Sequence, residues 1–136
     1  MSARSKARKR ALDILYESEA RGLAVGGTLP QRLEDNDPPV NEFTVALVEG
    51  VAAHITAIDE LIGKHSVGWT LDRMPAVDRN ILRIGVYEIV YDDQVPDVVA
   101  VSEAVALARD LSTDESPVFV NGLLGRVLEL KPTLNP

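Results

Sequence analysis

Metal or acid–base chemistry in this chain would have to start from its two histidines, His54 and His65. They stand eleven positions apart with no acid at ligand spacing, so no HExxH-type zinc site is encoded. His54 also falls on an apolar helical stripe, the usual place of a satisfied core or interface histidine. The chain has no cysteine, which excludes a thiolate nucleophile, a thiolate metal site and a disulfide, and suits a reducing cytosol. Gly26-Gly27 lacks the Lys-Ser/Thr of a phosphate loop. The carboxylate pairs Asp92-Asp93 and Asp114-Glu115 lie at expected turns and helix starts, where capping and solubility explain them. No catalytic residue, metal ligand or cofactor is expected, and the chain does not read as an enzyme.

Binding chemistry is better supported. Arg4, Lys6, Arg8, Lys9 and Arg10 crowd the first ten residues without an acid. The whole chain nevertheless holds 14 Lys and Arg against 21 Asp and Glu, a formal −7, and setting aside the five opening cations leaves −12 for the rest. Such asymmetry points to two surfaces for two kinds of partner. Wound as a helix, the five cations would stand at about 40°, 240°, 80°, 180° and 280° around the axis, at 100° per residue. They circle it instead of forming a face, and no apolar anchor precedes Leu12, which argues against a membrane-surface helix. A mobile arm that orders around an anion fits better. An arm of that kind would be removable without loss of helix content.

The elements that must carry these residues are helical. At 136 residues and 46% hydrophobic content the chain suits one compact domain. It contains no run of about 18 apolar residues that could cross a bilayer and no signal-peptide-like opening, so a soluble cytoplasmic protein is expected. Leu12, Leu15, Tyr16 and Glu19 give helical spacing over 7–21. Thr28 is placed to cap a short helix over 28–34, and Pro38-Pro39 breaks the chain. Asn41 can cap a long helix to about Lys64 whose stripe runs from Phe43 to Ile62. Further helices are expected from Pro75 to about Tyr91, over 98–111, and from the Ser116-Pro117 cap onwards. No hairpin signal appears, so the fold class is all-α.

Three stretches, VDRNILRIGVYEIVY (77–91), VPDVVAVSEAVALARDLS (95–112) and SPVFVNGLLGRVL (116–128), resemble the NusB family of transcription antitermination factors. With ALDILYE and the basic opening, the resemblance spans nearly the whole chain. It implies a bundle of about seven helices in two helical subdomains, here 1–72 with its 1–10 arm and 73–136. It further implies no cofactor, and binding to the boxA element of nascent ribosomal RNA together with the ribosomal protein NusE, within an RNA polymerase antitermination complex. Some members self-associate, so a homodimer is compatible with it.

Carried over by matched position, the RNA-binding residues are Arg4, Lys6, Arg8, Lys9, Arg10, Glu115 and Phe119, and the partner-binding residues are Tyr16, Asp72 and Asp78. Phe119 lies about 100° from the Val120–Leu124–Val127–Leu128 stripe, beside Gly122 and Arg126, as a stacking platform would, with core packing the competing reading. Two other readings stay open: a helical adaptor that binds only protein, and a stand-alone relative of the N-terminal module of ribosomal-RNA methyltransferases, though no cysteine nucleophile is present.

Overall fold

The computed structural model describes residues 2–135, and among these the secondary structure is helical throughout. Seven α-helices follow one another: α1 (Ala3–Ala20), α2 (Leu29–Asp35), α3 (Glu42–Ala53), α4 (Ile55–His65), α5 (Ala76–Val90), α6 (Asp97–Leu111) and α7 (Ser116–Leu130), before a 3-10 turn over Lys131–Thr133. The expected all-α class and helix number hold.

α5 is the axis of the bundle. Every residue from Asn80 to Val86 is buried, because α1, α3, α4, α6 and α7 all pack against this one helix. Around it, α3 packs on both α1 and α4, α4 on α7, and α7 on α6. A polar contact closes the ring between α6 and α1, where Glu103 accepts from Ser5 Oγ at 2.5 Å and from Arg8 Nη1 at 3.2 Å. The close crossing of α3 over α5 requires Gly50, since a Cβ there would lie 2.2 Å from the Tyr87 ring.

One expected boundary moves, and two expected caps do not form. The long helix from Asn41 breaks at His54, whose φ of −114° and ψ of 20° depart from helical values. His54, expected in the core or at an interface, is not in the core: it is exposed, and its ring stacks on Tyr91 with centroids 3.9 Å apart. Thr28 and Ser116 precede or open helices as expected but do not cap them by their side chains. The Thr28 hydroxyl is drawn to Ser18 and the Ile14 carbonyl, and the Ser116 hydroxyl donates to Asp78 Oδ2 at 2.8 Å.

α1 and α5 run antiparallel, fastened at both ends by ion pairs. At one end Arg8 meets Glu88; at the other Arg79 donates to both Glu19 oxygens, at 2.9 and 2.5 Å. Arg79 also caps the preceding loop through the Leu71 and Met74 carbonyls, at 2.7 and 3.0 Å. Arg83 forks onto Asp59 of α4 with two 2.9 Å bonds. The hydrogen bond from Arg79, with the Arg79 and Arg83 charges behind it, holds the Glu19 carboxyl below the usual carboxylate range against the opposing effect of burial. A folded-state value below the unfolded one means stability present above the unfolded pKa and lost as pH falls through the folded one. Glu19→Gln should therefore lower the melting temperature at neutral pH and shrink its acid-side slope below about pH 4.5. Parallel acid melts of the two proteins check it, and identical slopes would take Glu19 out of the linkage.

Candidate nucleic-acid and partner interfaces

The basic opening is part of α1 and not a mobile arm. Ser2 caps the helix, its Oγ accepting from Ser5 N at 3.0 Å, so the chain is helical from Ala3. Arg8 is the reason the first turns stay seated. It is 2% exposed and donates from Nε and Nη2 to the Glu88 carboxylate at 2.7 and 2.8 Å. Burial alone would lower its pKa, but the Glu88 hydrogen bond and the Glu88 and Glu103 charges raise it, so the guanidinium is firmly charged. Arg8 thus leaves the set of groups free to meet RNA: its planar fork is spent on a buried carboxylate.

The other four cations stay at the surface. Arg4 and Lys6 are exposed and Lys9 and Arg10 half-buried, with Lys9 only loosely paired to Asp13 at 3.4 Å. The Arg4 guanidinium lies 4.8 Å from the Phe43 ring centroid and that of Arg8 5.1 Å from it, so Phe43 joins the N-terminus of α3 to this patch. A rigid helical turn presents these charges, with an aromatic neighbour the sequence did not single out.

Phe119 belongs to a different helix. It is half-buried in the first turn of α7 and meets Trp69 in a T-shaped contact, with centroids 4.9 Å apart. It lines two shallow grooves, one with Val67, Gly68, Trp69 and Glu115, the other with Lys64, His65 and Arg126. The edge-exposed platform and the core plug are both partly right, because one edge packs and the rest is open. Glu115 is exposed beside it. As a carboxylate it can accept from base amines or ribose hydroxyls but repels phosphate. α7 packs on α4, α5 and α6, and α1 on α3 and α5, so the two helices are linked through α5.

The partner residues also divide. Tyr16 is 45% exposed, one turn before Glu19 on α1. Asp72 is exposed and shares a groove of about 400 Å³ with Glu19, Leu71, Arg79 and Arg83. Asp78 is not at this surface. Its carboxylate is 0% exposed and accepts from the hydroxyls of Ser112 and Ser116, tying the first turn of α5 to the α6–α7 connection. Of the three residues expected to meet a protein partner, Tyr16 and Asp72 are therefore exposed and Asp78 is not, while Glu19, in the groove with Asp72, is already held by Arg79 and Arg83.

Among the described residues no three His, Asp or Glu side chains gather to hold a metal. No helix is long and apolar enough to cross a membrane.

Residues 5–129 match the NusB family. The transcription antitermination protein NusB of Arthrobacter sp. (strain FB24) is 61% identical over 98% of both chains. Among solved structures, T. maritima NusB superimposes with a TM-score of 0.81 at 28% identity, over 94% of this chain and 92% of that one. The NusB structure in a crystal of antitermination factors NusB and NusE with dsRNA gives 0.80 at 29% identity, over 93% and 96%. The fold and its outward-facing charges define an all-α binding factor. The chain belongs to the NusB family, and with it to the transcription antitermination factors, which are not enzymes.

Proposed function

We propose that this protein binds the boxA element of nascent ribosomal RNA jointly with the ribosomal protein NusE, and acts within the antitermination complex on RNA polymerase in the cytoplasm. The observation that carries the RNA half is the fixed display of Arg4, Lys6, Lys9 and Arg10 on α1 in a chain of net charge −7. Phosphates are held by such cations and bases by stacking, here on the open part of Phe119. The exposed Tyr16 and Asp72, on a chain of net charge −7, suit a basic ribosomal protein. The NusB–NusE–dsRNA crystal supports the same pairing of partners.

The test is an RNA titration across salt concentrations, with and without NusE. Replacing the four surface cations of α1 by Gln, with Arg8 kept, should flatten the log affinity against log salt slope by up to about 2.8, at about 0.7 per contact. An unchanged slope would remove α1 from the RNA site.

Phe119→Leu separates stacking from filling. Leucine keeps most of the apolar contact with the core but offers no ring, so RNA affinity should fall by about 1–3 kcal/mol. Melting should drop by less than Phe119→Ala causes, because that change also opens a cavity beside Trp69. Full RNA affinity in the Leu variant would return Phe119 to a packing role.

A further inference from the structure

The groove between the C-terminal end of α4 and the outer face of α7 has no role in the preceding account. It measures about 410 Å³ and is lined by Lys64 and His65 from α4, Val67 from the loop beyond, and Val118, Phe119, Gly122, Leu123 and Arg126 from α7. No carboxylate is among these lining residues. The local balance is thus the reverse of the chain's, in which acids outnumber cations 21 to 14. Lys64 makes no ion pair among the described residues, and Arg126 makes one, with Glu129 at 3.1 Å, where both side chains are more than half exposed. Such a pair is weak and easily exchanged for another anion. Gly122 leaves the floor open, since a Cβ there would meet nothing within 4 Å.

The geometry points to this groove as a second contact stretch for single-stranded RNA: Lys64 and Arg126 on phosphates, His65 as a hydrogen-bond donor, and Phe119 at its end against a base. It rests on the RNA-binding reading above and extends it to residues outside α1. Phe119 and Arg126 are two helical turns apart, about 10 Å at 1.5 Å per residue, so the cations continue away from the ring along one face of α7. Burial first, and then the Arg126 and Lys64 charges, hold the His65 pKa below its ordinary value, so its ring is neutral at pH 7 and still donates one N–H. Glu115 lines a separate groove that shares the Phe119 ring and Val67. Its carboxylate repels phosphate there, which favours a course over Lys64 and Arg126.

The experiment compares salt-dependent titrations of a short single-stranded boxA RNA on the full chain and two double variants. Lys64→Gln/Arg126→Gln removes the groove cations. Arg21→Gln/Arg109→Gln removes two exposed cations elsewhere and matches the net charge. The groove variant should melt like the parent and lose about 1.4 from the slope, at about 0.7 per contact, which is about 25-fold in affinity at 0.1 M salt if the curves converge at 1 M. The matched variant should keep the parent slope. Equal flattening in both variants would mean long-range charge only, and an unchanged slope in the groove variant would exclude phosphate contact; either overturns the groove. An unchanged groove slope alongside a loss from the α1 variant overturns the groove alone and leaves the RNA reading standing. A parent that binds no RNA, with NusE or without it, overturns both.

Discussion

Arg8→Ala should cost about 3–5 kcal/mol of stability, the range for removing one partner of a buried ion pair. The mechanism is the orphaned partner. Glu88 is 1% exposed and accepts two of the Arg8 hydrogen bonds, so without the guanidinium its carboxylate is charged, dry and unpaired. Typical domains have only about 5–15 kcal/mol in total, and the loss would be plain in a urea midpoint. Pairing Arg8→Met with Glu88→Leu removes both charges at similar volume and should recover most of the deficit. A double variant no more stable than Arg8→Ala would mean that packing of the Arg8 stem, not its charge, carries the effect.

That prediction changes how the basic N-terminus has to be tested. Deleting residues 1–10 does more than shorten a solvated arm: it removes Arg8, buried Ala7 and the Ala7 carbonyl that accepts from Thr44 Oγ1 at 2.9 Å. A truncated chain that fails to bind RNA would then report a damaged bundle. Substitution at Arg4, Lys6, Lys9 and Arg10 leaves this anchor intact, so those variants can speak about RNA.

The burial of Arg8 was legible, had the apolar stripe been followed back into the basic run. Arg8 precedes Leu12 by four residues and Leu15 by seven, which places it on the buried face of α1. Asp78 has the same signature, three and four residues before Ile81 and Leu82 and seven before Gly85. In both cases charge alone suggests exposure, and position on the stripe overrides it. What no spacing within one helix reveals is the partner: Glu88 lies 80 residues from Arg8, and Trp69 meets Phe119 with α5 and α6 between them in the chain. The break at His54 was hidden for another reason. Ile55, Ile58, Leu61 and Ile62 keep their own helical spacing after it, so the stripe gives no sign that the axis has turned. The α4–α7 groove is legible only in three dimensions, since Lys64 and Arg126 come from helices joined through the rest of the fold.

Charge reversal at Asp78 should be at least as damaging as Arg8→Ala, and through the same kind of cause. Asp78→Lys would place an ammonium in a site with no exposure, facing two serine hydroxyls in place of a carboxylate, at the positive end of the α5 dipole. A buried charge without a counter-ion costs several kcal/mol even after relaxation, enough to consume most of a typical domain's stability. Loss of NusE binding in that variant would therefore follow from unfolding and say nothing of the interface. Asp78→Asn is the informative change. It keeps the shape and one acceptor oxygen but turns the other into a donor opposite a serine, which should cost about 1–3 kcal/mol. Ser112→Ala/Ser116→Ala removes both donors from the carboxylate and should destabilise by a similar amount, because the acid then stays buried with its lone pairs unmet. Both variants, measured where they are fully folded, should hold NusE as tightly as the parent, while Asp72→Lys, at an exposed carboxylate, should weaken it. Intact melting with lost partner affinity in Asp78→Asn would put that carboxylate in the interface after all.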